Sequence, residues 1–152
     1  MAKFSDALDR SMDDIKRPPP LPIGNYIFRI VKMPEAPREI EGKTFEILKF
    51  PIAVVSAMDD VDPDELAEFG KVEGAPLSLD FIFNTDPSEE RAYEMTLNRL
   101  KDFLARAGVE GATLKEQIAR CANAQFMGEV SHRADPNDAN NVYPEVRRTA
   151  AL

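Results

Sequence analysis

The chain has 152 residues, 43% of them hydrophobic, and its 27 acidic and 19 basic residues give a net charge of −8. One domain of this size buries roughly 70% of its unfolded surface, which is enough for a core without disulfides. The single cysteine, Cys121, excludes an internal disulfide bond. No apolar run reaches the roughly 18 residues that span a bilayer, and the N-terminal residues lack the apolar core of a signal peptide. We therefore expect a cytoplasmic protein with no membrane partner.

The first 17 residues show helical periodicity. Phe4, Leu8, Met12 and Ile15 are spaced by four, four and three residues, which predicts the apolar stripe of an amphipathic helix. This N-terminal helical arm either packs on its own domain, docks on a partner protein or a second copy of the chain, or stays disordered. Its candidate partner-binding residues are Phe4, Leu8 and Met12.

Residues 18–23, "PPPLPI", separate this arm from the rest of the chain. Proline fixes φ and donates no backbone hydrogen bond, so the segment is predicted to be an extended spacer rather than a helix or an inner strand. A domain at residues 24–152 follows. It opens with a strand at 25–33, in which an aromatic face alternates with a mixed one.

A loop at 33–43 leads to a long second strand, 44–58. In that strand Pro51 marks either a bulge or a stretch of sheet edge, because it cannot donate to a ladder. The acidic loop 59–73 follows, and its seven acids and one base carry −6 of the net charge. Exposed charges farther apart than about 8 Å are largely screened at physiological salt, so a basic strip elsewhere remains able to bind a polyanion. The candidate partner-binding residues of this loop are Asp60, Asp62, Asp64 and Glu65.

A third strand at 77–83 precedes the strongest predicted helix, 84–111, which Gly108 ends as a left-handed cap. A shorter helix with a capping box and two further strands, 124–134 and 141–151, complete the chain. The predicted fold class is mainly β with one or two helices, in the order β-β-β-α-β-β. That is the order of an OB-fold-like five-stranded barrel, although other small five-stranded barrels share it.

Catalytic motifs are missing from the sequence. It contains no nucleophile elbow, no P-loop, no dinucleotide-binding glycine motif and no zinc-protease motif. The single histidine, His132, falls in a predicted strand, and Cys121 is predicted to be a small core residue. Glu46 and Lys49 lie on opposite faces of a strand, unlike the paired residues of a metal nuclease. We therefore expect no enzyme, no catalytic residue, no metal and no cofactor.

Single-strand binding requires cations along the phosphate backbone and flat side chains for base stacking, which contributes roughly 1–3 kcal/mol per base. Residues of both kinds recur on strands that a small barrel brings together, although each one singly also suits a solvated or a core position. The candidate nucleic-acid-binding residues are Arg29, Lys32, Arg38, Lys43, Phe45, Lys49, Arg133, Tyr143, Arg147 and Arg148. Phe45 and Lys49 are predicted to share a strand face, as are Tyr143 and Arg147.

Several segments together resemble a known family. They are "PIGNY" (22–26), "GKTFEILKF" (42–50), "LNRLKDFLARAGV" (97–109), "AQFMGEV" (124–130) and "VYPEVRR" (142–148). Over about residues 20–149 their order resembles that of bacteriophage single-stranded DNA-binding proteins with an OB-fold. The resemblance implies largely sequence-independent binding of single-stranded DNA, without catalysis, in phage replication or recombination in the host bacterial cytoplasm.

The acidic loop is then expected to recruit replication or recombination proteins, or to compete with DNA for the basic face. A homo-oligomer through the N-terminal arm is also compatible with this function. The alternative function is a protein-interaction or assembly subunit. It would use the N-terminal helix and the acidic loop 59–73 and would bind no nucleic acid.

Overall fold

The structure, a computed structural model, describes residues 3–11, 18–40, 42 and 44–152, with the backbone alone described at 139 and 140. Within these residues it is mainly β, as the sequence predicts. The strands are β1 (Gly24–Ile30), β2 (Arg38–Glu39), β3 (Phe45–Ala57), β4 (Pro76–Asn84), β5 (Gln125–Asp135) and β6 (Asp138–Ala150). The helices are α1 (Phe4–Ala7), α2 (Pro63–Phe69), α3 (Glu90–Arg106) and α4 (Leu114–Arg120), and a 3-10 turn, Pro87–Glu89, leads into α3.

One antiparallel sheet contains all these strands, and its five long strands lie in the order β4-β3-β1-β5-β6. The short β2 pairs with β3 beyond the point where β1 ends. The predicted order of three long strands, a helical segment and two further strands is confirmed, and the fold is barrel-like. Among the described residues, β4 and β6 lie near each other without a ladder between them, so the barrel is open along this line.

The inward faces of the long strands form the core together with α3. Strand alternation places Tyr26, Phe28 and Phe126 on the buried face of β1 and β5, and Phe50 of β3 is equally inaccessible. From α3, the ring centre of Phe103 lies 4.9 Å from that of Phe126 and 5.4 Å from that of Phe50. Most of the aromatic side chains are therefore core residues, which leaves few for contacts with a ligand.

The C-terminal end of α3 agrees with the sequence prediction, whereas α3 begins at Glu90, after a 3-10 turn that Asp86 caps, and not at residue 84. The carboxylate of Asp86 accepts hydrogen bonds from the backbone N–H and the hydroxyl of Ser88, and these bonds lower the pKa of Asp86. At the other end, Gly108 adopts φ of 73°, a left-handed conformation that stops the helix. Leu100, Phe103 and Leu104 are buried on one face of the C-terminal half of α3, whereas Tyr93 near its beginning is exposed.

Pro51 lies opposite a break in the neighbouring strands. On one edge of β3, β2 pairs as far as Ile47 and β1 pairs from Ile52 onward, so the missing N–H of Pro51 faces the interval between them. The carbonyl of Pro51 accepts a hydrogen bond from the N–H of Val31 at 2.8 Å. The predicted stretch of edge is confirmed, and the bulge of β3 lies instead at Val55.

The acidic segment 59–73, predicted to be a loop, contains a helix, α2. Asp62 caps α2, because its carboxylate accepts hydrogen bonds from the N–H groups of Asp64 and Glu65 at 2.8 and 3.4 Å. Val61 and Val72, one on each side of α2, are buried in the core and hold the segment against the barrel. The segment is thus a fixed element rather than a simple loop.

The N-terminal arm is described in part. Helix α1 is one turn long, and the apolar side chains of Phe4 and Leu8 are 82% and 66% exposed. Met12 and Ile15, which would continue the predicted stripe, lie outside the described residues. No helix in the described ranges is long and apolar enough to cross a membrane.

The end of the proline-rich spacer is fixed to the barrel. Leu21 is 3% exposed, and its carbonyl accepts a hydrogen bond from Nε2 of His132 at 2.7 Å. The hydroxyl of Tyr26 donates to the carbonyl of Pro22 at 2.6 Å. The folded unit therefore includes Leu21 and Pro22 in addition to residues 24–152.

Candidate nucleic-acid interface

A groove of about 330 Å³ lies on the outer face of β3 and β4, against the segment between β1 and β3. Strand alternation places Ile47, Lys49 and Pro51 on the face of β3 opposite the core. The pairing of β2 with β3 sets Arg38 beside Ile47, and Lys32 reaches the groove from the end of β1. The groove brings together three predicted nucleic-acid-binding residues, Lys32, Arg38 and Lys49.

The groove is cationic around an apolar floor. Its three positive side chains face one carboxylate in the lining, that of Glu35, and Ile47 and Pro51 supply apolar surface. Lys49 also lies 3.8 Å from the carboxylate of Asp80, with both side chains more than a third exposed. An exposed ion pair of this kind contributes at most about 1 kcal/mol, so Lys49 can exchange Asp80 for another anion.

The aromatic candidate of β3 lies near the groove. Phe45 is half-buried, and the register with β4 places it on the same face as Lys49, which confirms that prediction. Arg29 lies on the outer face of β1, between Ala53 and Gln125, and does not line the groove. Lys43 lies outside the described residues.

Two further candidates lie on the β5–β6 hairpin. Tyr143 pairs with Arg133 across the hairpin, and its ring is 44% exposed. The hydroxyl of Tyr143 donates to the carboxylate of Asp135 at 3.0 Å and accepts from the amide of Asn141 at 2.9 Å. Arg133 lies 3.9 Å from Glu145 in an exposed pair. The hairpin thus presents an aromatic ring in a defined position, with a cation beside it.

A second cationic groove, of about 360 Å³, lies where β4 and β6 approach each other without pairing. Arg147 and Arg148 of β6 line one side, and Arg99 and Arg106 of α3 line the other. We call these four residues the arginine seam. Sequence reasoning proposed Arg147 and Arg148 but missed Arg99 and Arg106. Their spacing of seven on one helix face was the available signal.

The predicted partner-binding residues differ in their surroundings. The carboxylate of Asp60 accepts hydrogen bonds from the backbone and the side-chain amide of Asn25, at 3.1 and 2.8 Å, and Asp62 caps α2. Both acids therefore stabilise the fold. Asp64 and Glu65 take part in that cap only through their N–H groups, and their carboxylates are exposed. Of the arm residues, Phe4 and Leu8 are exposed and Met12 is outside the described residues.

The single histidine and the single cysteine occupy structural positions. His132 is half-buried and holds the spacer through the carbonyl of Leu21. Cys121 is fully buried, as predicted, and burial raises the pKa of its thiol. In the described part of the chain, no group of three or more His, Cys, Asp or Glu side chains is arranged to hold a metal ion.

Comparison with known proteins identifies no family for this chain. Neither the protein-family models nor the curated proteins give a match to it. The candidate interface therefore consists of three places defined by geometry: the groove on β3 and β4, the hairpin ring of Tyr143, and the arginine seam.

Proposed function

We propose that this protein binds single-stranded DNA with little sequence preference and without catalysis. The observation that carries the proposal is the groove on β3 and β4, where Lys32, Arg38 and Lys49 surround an apolar floor. In OB-type barrels, oligonucleotides bind on the second and third long strands and the adjoining loops. In this chain those strands are β3 and β4.

The chemistry of the groove suits a flexible polyanion. Lysine and arginine contact phosphates, which carry no sequence information, and the apolar floor with the nearby Phe45 accepts the flat faces of any base. The proposed setting is the cytoplasm of an infected bacterium, in phage replication or recombination. There the exposed acids of α2 would recruit replication or recombination proteins, and the N-terminal arm would join copies of the chain.

The proposal is tested by fluorescence anisotropy with a labelled single strand of about 30 nucleotides and the matching duplex, from about 50 to 200 mM salt. We expect tighter binding to the single strand, with an affinity that falls as salt rises by a slope of about −0.7 per phosphate contacted. Binding of the duplex with equal affinity, or no binding of the single strand at the lowest salt, would reject the proposal.

A paired substitution tests the groove itself. Lys32→Gln with Lys49→Gln removes two phosphate contacts, so the salt slope should become shallower by about 1.4. The matched control is Lys101→Gln with Lys115→Gln, which removes two exposed lysines of α3 and α4 outside the groove and should leave the slope unchanged. Equal slopes for the two variants would show that the strand does not enter the groove.

The alternative function, an interaction or assembly subunit, is favoured by a different observation. The exposed Phe4 and Leu8 of α1 offer apolar surface to a partner, and the exposed acids of α2 offer charge. Such a protein would bind no single strand at any salt. Removal of residues 1–11 would then abolish self-association in analytical ultracentrifugation, and DNA would have no effect on it.

A further inference from the structure

We propose that the arginine seam is a second binding site for the phosphate backbone of the same single strand, so that the DNA runs from the groove across β4 into the seam. This inference rests on the proposed function and assigns Arg99 and Arg106 to the binding surface. The ligand class is a phosphodiester chain, bound by guanidinium groups.

The seam concentrates unpaired positive charge in an acidic protein. The lining of the seam contains these four guanidinium groups and one carboxylate, that of Asp102. Among the described residues, none of the four lies within 4.0 Å of a carboxylate. Planar guanidinium groups bind phosphate oxygens through two parallel hydrogen bonds, which makes arginine the side chain best suited to a phosphate chain. The seam is therefore ready to accept an anion without first breaking an ion pair.

The fold holds two of these arginines in place. The guanidinium carbon of Arg99 lies 5.9 Å from the ring centre of Phe81, which is a cation–π distance. The Nη1 atom of Arg106 donates to the hydroxyl of Thr149 on β6 at 3.5 Å. Both contacts are to neutral groups, so they orient the guanidinium groups and leave the charge available to a ligand.

The open line of the barrel creates the space for the seam. β4 and β6 would close the barrel if they paired, but the described residues form no ladder between them, and α3 lies behind the opening. The register of β5 and β6 shifts beside Val130, so Arg147 is an extra residue in β6. A bulge re-aims side chains, and here Arg147 and Arg148 line the same groove although they are consecutive.

The groove and the seam meet at β4. Leu77 and Ser78 line the groove, and Leu79 and Phe81 line the seam. Leu79 and Phe81 face inward from β4, and among the described residues β4 has a ladder with β3 alone, so a chain of nucleotides passes from the groove to the seam over the free edge of this one strand. Asp80 lies on this path, and its carboxylate already faces Lys49 at 3.8 Å. The two cationic sites thus lie on either side of β4, one strand apart.

The test uses the full chain and two probes. The first probe is the labelled single strand, titrated from about 50 to 200 mM salt with the variant Arg147→Gln with Arg148→Gln. Two lost phosphate contacts should make the salt slope shallower by about 1.4. If the variant and the unaltered protein bind equally at 1 M salt, this difference makes the variant bind about 25-fold more weakly at 0.1 M salt. The variant Arg99→Gln with Arg106→Gln should behave alike. Lys101→Gln with Lys115→Gln serves as the control, because it removes the same charge outside the seam.

The second probe is inorganic tripolyphosphate, followed by amide chemical shifts in ¹⁵N-labelled protein. Shifts should concentrate on α3 and β6 and disappear in the Arg147→Gln, Arg148→Gln variant, with circular dichroism confirming that the variant is folded. Two results would overturn the inference: seam variants that bind the strand as the control does, or tripolyphosphate that leaves the seam unperturbed. If the unaltered chain binds tripolyphosphate in the seam but no single strand, the proposed function fails, and with it the assignment of the seam to DNA.

Discussion

Tyr26 joins the barrel to the proline-rich spacer, and its ionisation should lower the stability of the fold at alkaline pH. Its side chain has no exposed surface, and its hydroxyl donates to the carbonyl of Pro22. Burial, with smaller contributions from the carboxylates of Asp60 and Glu65, raises the pKa of Tyr26 from 10 to about 12. The folded state therefore favours the protonated phenol. Its contribution to stability is complete below pH 10 and is lost as the pH rises through 12.

We expect Tyr26→Phe to lower the free energy of unfolding by about 1–2 kcal/mol at neutral pH, because the carbonyl of Pro22 loses its donor. Between pH 10 and pH 12 the unaltered protein should lose stability faster than this variant. Urea unfolding at each pH measures both effects. The matched control is Tyr143→Phe, whose ring is exposed. Parallel pH profiles for the unaltered protein and Tyr26→Phe would contradict the coupling.

At Gly128 the packing of the core leaves no room for a side chain. A Cβ atom at this position of β5 would lie 2.9 Å from two ring carbons of Phe28 and 3.1 Å from Val146. Because the ring is fully buried and cannot move aside, Gly128→Ala should destabilise the protein by about 1–3 kcal/mol. Thermal unfolding measures the loss. The control is Glu129→Ala, on the outer face of the same strand, which should change the free energy of unfolding by less than about 0.5 kcal/mol.

Individual core residues were more predictable from the sequence than surface clusters. Alternation along β3 puts Leu48, Phe50 and Ile52 on one face, and all three are buried. The convergence of Arg99 and Arg106 with Arg147 was not predictable in the same way, because it depends on how α3 lies against β6. Periodicity tells which face of an element is buried, but it does not tell which exposed faces of two elements meet.

The proline-rich spacer becomes part of the folded barrel at Leu21. The arm and the first prolines precede this residue, whereas Leu21 and Pro22 are bound by His132 and Tyr26. We expect removal of residues 1–17 to leave the unfolding midpoint nearly unchanged. Removal of residues 1–23 should destabilise the barrel by several kcal/mol, because a buried leucine, one buried hydrogen bond and one half-buried hydrogen bond are lost. A large destabilisation by the shorter deletion would instead show that the arm packs on the barrel.

Long elements were predicted well and short ones were not. α3 has capping residues and a continuous apolar stripe, so its position follows from local sequence. Helix α2 was missed although Asp62 and Pro63 are a standard start signal, because the run of acids suggested a loop. The two-residue β2 has no local signal, since it exists only through its pairing with β3.

For the whole molecule, the order of the long strands was predictable but the closure of the barrel was not. The β5–β6 hairpin follows from its short connection and alternating pattern, and β3 and β4 pair as consecutive long strands although residues 58–75, with α2, lie between them. Whether β4 and β6 pair depends on contacts between segments some 70 residues apart, and on the helix α3 that lies beside them. The arginine seam lies on this line, which is why its location became visible only in the structure.

The distribution of charge over the whole molecule determines whether the acidic helix α2 would compete with DNA in the proposed groove. Asp60, just before α2, is bonded to Asn25 at the start of β1, whereas Lys32 of the groove lies beyond the end of that strand. The seven residues between Asn25 and Lys32 span about 23 Å of strand, which separates the acids near α2 from the cations of the groove. Two charges about 20 Å apart interact by about 0.2 kcal/mol in water without salt, and ions at 0.15 M leave about a tenth of that.

We therefore expect replacement of Asp64, Glu65 and Glu68 by serine to change single-strand affinity by less than about twofold at 0.15 M salt. At 0.01 M salt, where the screening length is about 30 Å, the affinity should rise severalfold. The matched control replaces Glu89, Glu90 and Glu94, three exposed acids at the start of α3, and gives the effect of net charge alone. Anisotropy titrations at both salt concentrations measure these changes. A tenfold rise at 0.15 M, specific to the α2 variant, would mean that α2 contacts the bound strand directly, and competition rather than partner recruitment would then explain why the acids are concentrated there.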